Sequence, residues 1–141
     1  MYNSDFKDYL AEKIDIDFII LDELFEKKTD FFDIAYILIE NHEIDSKNLG
    51  KIWGDYLGFA YVDPNTTIVN QEFINKMGVD FISSNKVLPL YKFGKAVTVC
   101  TSDPKNPFIQ DKVEKKLGEL VSFVFCFPFD IELYLQLNNI K

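Results

Sequence analysis

The chain has 141 residues, room for one compact domain or two small subdomains sharing a core, and its 48% apolar and 16% aromatic content excludes a disordered chain. Fifteen basic residues against 23 acidic ones leave a net charge of −8, which argues against binding to nucleic acid or to an anionic lipid surface and favours basic partners. The longest apolar run, Leu120 to Phe129, is interrupted by Ser122 and Pro128 and falls short of the roughly 18 to 20 residues that span a bilayer, so no membrane insertion is expected.

Residues 1–58 read as helical. Leu21, Leu24 and Phe25 recur at helical spacing, as do Phe31, Ile34, Ala35, Leu38 and Ile39, and Asp17, Thr29 and Asp45 stand where N-caps would. The same stretch repeats itself at a shift of 28 residues: Leu10 falls on Leu38, Ile16 on Ile44, Asp17 on Asp45, Leu21 on Leu49, Leu24 on Ile52 and Phe25 on Trp53. Two helix-turn-helix units in tandem produce this pattern, with the matched apolar positions as packing faces. Gly50, Gly54 and Gly58 lie four apart on the last helix. They form a flat strip for another backbone or a planar ligand, a site of close packing inside the domain, or a short, frayed helix with Gly58 as its left-handed terminator.

From Phe59 the period changes. A short strand Phe59 to Val62 ends at Asp63-Pro64-Asn65, and helices follow over Asn70 to Lys76 and Val79 to Ser83. Lys86 to Phe93 and Ala96 to Thr101 form a hairpin about Gly94-Lys95. Asn106-Pro107 opens a helix that Gly118 closes, Leu120 to Phe127 reads as a strand covered on both faces, and Asp130 caps a final helix from Ile131 to Leu137. The expected fold class is α+β, with residues 1–58 a helical layer and residues 59–141 a small, mainly antiparallel sheet with helices, together one domain.

The chemistry-bearing patterns of enzymes are missing. There is no G-x-x-x-x-G-K-S/T loop and no G-x-G-x-x-G, and His42 has no His or Cys within two turns to share a metal. Cys100 and Cys126 lie in apolar runs and read as reduced core residues, in keeping with the cytoplasmic location that an N-terminus without a secretory signal suggests. The expectation is a protein that is not an enzyme and has no metal and no cofactor.

Four segments in order carry a resemblance. Tyr56 to Asp63 is similar to a "Q-L-G-x-P-(F/Y)-V-D" segment, Val87-Leu88-Pro89-Leu90 with Gly94 to Val99 and Ser102-Asp103-Pro104 to a "V-L-P-L…G…D-P" block, and Asp130-Ile131-Glu132 to a closing "D-I" helix. The chain thus resembles the N-terminal domain of type II secretion and type IV pilus assembly ATPases. The resemblance implies a non-catalytic domain whose partners are the ATPase core and the cytoplasmic part of an inner-membrane platform protein, which places it at the cytoplasmic face of that membrane. The aromatic surplus of Phe31, Phe32, Tyr36, Trp53 and Tyr56 marks the expected partner surface.

One branch of that family binds cyclic di-GMP through two helical motifs that begin R-L-G and end in Gln. Here Asp5 and Asp33 fall at the Arg positions, His42 at a later Gly, and Lys28 and Tyr56 at the Gln positions, and the chain contains no Arg. Carboxylates there repel a phosphodiester, and this reading argues against cyclic di-GMP as a partner. The alternative is nucleotide sensing by a divergent site of Leu38, Leu49, Lys51, Trp53 and Gly54, with Lys28, Lys47 or Lys51 meeting phosphate.

Overall fold

Residues 5–28 and 30–138 are described by the computed structural model, which holds eight helices and three strands among them. The chain divides between Trp53 and Gly54 into two units.

In the first unit, α1 (Phe6–Lys13), α2 (Phe18–Lys27), α3 (Phe31–Glu40) and the first two turns of α4 (Ser46–Leu57) follow one another through short turns. The 28-residue repeat is visible in their starts. α2 begins on Phe18, where the Asp17 carboxylate accepts a hydrogen bond from the Ile19 N–H at 2.9 Å, and α4 begins on Ser46, where Asp45 accepts one from the Asn48 N–H at 2.8 Å. The matched pairs Leu10 and Leu38, and Leu21 and Leu49, are all buried, as the helical packing faces require. Thr29 lies outside the described residues; the cap seen at α3 is Asp30, which accepts from the Phe32 N–H at 2.9 Å. Aromatic rings fill the centre: Phe6 meets Trp53 edge-on at 4.8 Å and Phe31 at 5.3 Å, and Phe32 stacks on Trp53 at 5.7 Å. Residues 1–53 contain six Lys and 13 Asp or Glu, so −7 of the chain's −8 resides in this unit.

In the second unit the expected strand over Phe59 to Val62 is reduced to one bridge, in which Phe125 N–H donates to the Ala60 carbonyl at 2.7 Å and Val62 N–H to the Phe125 carbonyl at 2.9 Å. The turn at Asp63-Pro64-Asn65 carries the chain away before a ladder can extend; Asp63 Oδ1 accepts from the Asn65 N–H at 2.9 Å. α5 (Gln71–Met77), capped by Asn70, and α6 (Val79–Asn85) lead to β1 (Val87–Phe93) and β2 (Ala96–Thr101), whose antiparallel register closes Phe93 on Ala96 about Gly94-Lys95. A bulge falls between Pro89 and Tyr91, where proline has no N–H for the ladder, and the Leu90 carbonyl there accepts from Asn70 N–H at 2.6 Å.

α7 (Pro107–Leu117) begins on an Asn106 side chain that accepts from the Phe108 N–H and ends on Gly118 in the left-handed region. It returns the chain to β3 (Leu120–Phe125), which pairs with β2 in parallel, so the sheet is mixed and its order is β1-β2-β3. β3 lies at the edge of that sheet, and Leu120 and Ser122 are exposed while Val121 and Phe125 are buried, so its first half alternates rather than being covered on both faces as the apolar run suggested. α8 (Pro128–Leu137) starts three residues earlier than expected: Pro128 at the first helical position sets the start, and Asp130 sits in the first turn without capping it. Cys100 and Cys126 are free thiols buried in this unit, and burial together with the neighbouring Cys100 pushes the Cys126 thiol up.

Candidate functional site

The residues singled out in the sequence separate by burial. Leu38, Leu49 and Trp53 are enclosed in the core of the first unit, whereas Lys51 is exposed on α4. Gly54 is buried for a local reason: a Cβ there would stand 2.6 Å from the Phe59 carbonyl, so the backbone that approaches the glycine is the chain's own. Phe31, Phe32 and Tyr56 are half-buried and Tyr36 is 48% exposed. Among the described residues the large apolar group most open to solvent in the first unit is Ile19, 66% exposed on the first turn of α2, with Phe18 and Ile20 exposed beside it.

Lys51 borders a groove of about 450 Å³ that brings together the ends of both repeats. Lys13 is the last residue of α1 and Ile14 and Asp15 follow it; Glu43, Ile44 and Asp45 come from the turn after α3; Asn48, Lys51 and Ile52 come from α4. Its apolar lining is Ile14, Ile44 and Ile52, and the exposed Lys13 and Lys51 share the rest of the lining with Asn48 and three carboxylates. Asn48 is oriented by its hydrogen bond to Asp45 Oδ2 at 2.7 Å, and Lys13 also lies 5.8 Å over the Tyr9 ring. A smaller groove of about 380 Å³ at the α3–α4 turn is lined by Ile39, Glu40, His42, Ile44, Asp45 and Ser46.

Among the described residues no group of His, Cys, Asp and Glu could hold a metal ion, and no helix is long and apolar enough to cross a membrane. The groove can accept a ligand with a flat apolar part and one or two anionic groups within reach of Lys13 and Lys51. Of its lining, sequence reasoning had only Lys51. The signal it left unused was the alignment of the two inter-helix turns, which the repeat sets at Ile16 and Ile44.

The family model for the MshEN domain matches residues 57–138, more than half of the chain. A solved structure of MshE with cdg (cyclic di-GMP) has the same fold, with a TM-score of 0.61 at 15% identity over 92% of this chain and 95% of that one. No curated protein matches. The reading that argued against cyclic di-GMP as a partner is thereby corrected: a protein of this fold is solved with that ligand. Lysine neutralises phosphate as a point charge where arginine chelates it, so a lack of Arg does not by itself rule out an anionic ligand. With the MshEN match over residues 57–138 and the fold of MshE across both units, the chain belongs to the MshEN domain family, the N-terminal domains of pilus and secretion assembly ATPases.

Proposed function

We propose that this is a non-catalytic regulatory domain of a type IV pilus or type II secretion ATPase, and that its helical unit binds cyclic di-GMP. The observation that carries the reading is the fold likeness to MshE with cdg, which extends over 92% of the chain and so includes the repeats that precede the family match. The groove at the repeat turns supports it chemically. Lys13 and Lys51 would meet the phosphodiesters, and Ile14, Ile44 and Ile52 would lie against the faces of the bases. Leu38, Leu49, Trp53 and Gly54 then act as positioning residues, packing the helix on which Lys51 stands.

Calorimetric titration of the chain with cyclic di-GMP at physiological salt tests this. Saturable one-to-one binding at micromolar affinity or tighter is expected. No heat, and no change in melting temperature at high ligand, would overturn it.

A second reading, docking to a basic surface on the cytoplasmic part of an inner-membrane platform protein, is favoured by the exposed Phe18, Ile19 and Ile20 on the unit that carries most of the negative charge. Such docking would hold the domain at the cytoplasmic face of the membrane. It would rest on α2 and Tyr36 more than on Phe31, Phe32, Trp53 or Tyr56, which are half-buried or enclosed. Ile19→Ser with Ile20→Ser is expected to abolish capture by such a platform domain; undiminished capture would rule the surface out.

A further inference from the structure

Residues 61–66 and the first turn of α8 enclose several oxygen atoms with too few protons to serve them. Tyr61 OH, Asn65 Oδ1 and Asp130 Oδ2 are each shut off from solvent and have no hydrogen-bond partner. The bonds that do form hold the segments together without satisfying these atoms. Asn65 Nδ2 donates to the Asp130 backbone carbonyl at 3.0 Å, Asp63 Oδ1 accepts from the Asn65 backbone, and the Asp130 N–H donates to the Phe127 carbonyl at 3.1 Å. The walls are apolar: the Tyr61 ring packs against Phe125 and Phe127, and Phe127 stacks on Phe129 at 5.0 Å.

The titratable groups that face Asp130 are Asp63 from the turn, Tyr61 from the bridge, and the Cys126 thiol with Cys100 behind it; no lysine acts on it. With both carboxylates ionised, the Asp63 charge acts on an Asp130 carboxylate that has one oxygen shut off from solvent, and the Tyr61 phenol carries the one proton among the three orphaned oxygens. A proton on Asp130 Oδ2 removes one of those charges and turns an acceptor without a partner into a donor, on the residue whose backbone carbonyl the Asn65 side chain already holds.

We propose that Asp130 is a proton-operated latch of the second unit: neutral, it holds residues 61–66 against the first turn of α8, and when it ionises that contact loosens. Burial first, and then the charge of Asp63, push its carboxyl up to about 7. Burial first also pushes up the Tyr61 phenol, helped by the charge of Asp130, and the Cys126 thiol, helped by Cys100, so both keep their protons while Asp130 changes charge. Because the folded chain holds this proton more tightly than the unfolded one, the stabilisation is full below the unfolded value near 3.8 and is lost as pH rises through about 7.

A carboxyl-detected NMR titration of the unmodified chain tests the latch, with Asp130→Asn and Asp63→Asn as companions. The Asp130 carboxyl is expected to titrate near 7, the Asn65 side-chain amide to shift with the same midpoint, and Asp63→Asn to lower that midpoint. The melting temperature should fall from about pH 5 to about pH 8 in the unmodified chain and lose that dependence in Asp130→Asn. An Asp130 midpoint below about 5, or parallel melting profiles of the two proteins, would overturn the proposal; if Asp130→Asn fails to fold, the titration of the unmodified chain decides alone.

Discussion

His42 closes α3 as Gly58 closes α4. The His42 N–H donates to the Ile39 carbonyl and the next residue's N–H reaches back to Leu38, both at 3.0 Å; Gly58 donates to Asp55 at 3.2 Å, and Phe59 reaches back to Gly54 at 2.9 Å. Both closing residues have positive φ, 59° at His42 and 84° at Gly58, as this terminating motif requires. The histidine carries a Cβ into a region that suits glycine, at a position where the family resemblance has glycine. His42→Gly is therefore expected to stabilise the chain by about 1 kcal/mol, read as a higher urea midpoint. A lower midpoint would mean that the imidazole contributes more than the backbone strain costs.

Gly54→Ala should act in the other direction. Its Cβ would meet the Phe59 carbonyl at 2.6 Å, and that oxygen belongs to the turn that ends α4, so it cannot swing aside as a flexible side chain would. A loss of about 1 to 3 kcal/mol is expected by chemical denaturation.

If cyclic di-GMP occupies the groove of Lys13 and Lys51, each Lys→Ala change should weaken binding by about tenfold, or 1.4 kcal/mol, and the double change should abolish measurable heat. Both side chains are exposed, so melting temperatures should stay within a degree or so of the parent, about the effect of an ordinary surface substitution. Unchanged affinity in the double variant would move the ligand away from this groove.

Glu132, two residues beyond Asp130, should show the opposite pH behaviour. Its Oε1 accepts from Lys86 Nζ and Ser83 Oγ, both at 2.8 Å, and the Lys86 bond above all, opposed by burial and aided by the Ser83 bond, holds its carboxyl below the ordinary 4.5. A lowered value means stability that is present above 4.5 and is lost as pH falls through the folded value. The pair is some 40% exposed, so Glu132→Gln should cost no more than about 1 kcal/mol at neutral pH and converge with the parent in acid. Thermal melts across the acid range check this.

Local chemistry was legible wherever one signal acted alone. Asp17 and Asp45 at helix starts, Gly94-Lys95 in the hairpin, and Asn106-Pro107 with Gly118 around α7 are each settled by the geometry of a few neighbouring residues. The misreadings fall where two signals compete or where partners lie far along the chain. Asp130 and Pro128 both suggest a helix start, and proline wins because its fixed φ already suits the first helical position. Phe59 to Val62 has the composition of a strand, but pairing with Phe125 is ended by the turn at Asp63, and no alternation of side chains reports that. The groove was hidden for a related reason. Lys13 and Lys51 lie 38 residues apart, and only the packing of the two repeats brings both to one groove.

The uneven placement of charge has a kinetic consequence. With −7 on residues 1–53, an anionic molecule diffusing toward the helical unit climbs a repulsive potential before it reaches either lysine. Added electrolyte lowers that hill over distances beyond about 8 to 10 Å while leaving the close contacts less affected. Association of such a ligand should thus quicken with ionic strength, whereas a cationic partner meeting the same unit would be slowed, so one stopped-flow salt series tells the two kinds of visitor apart.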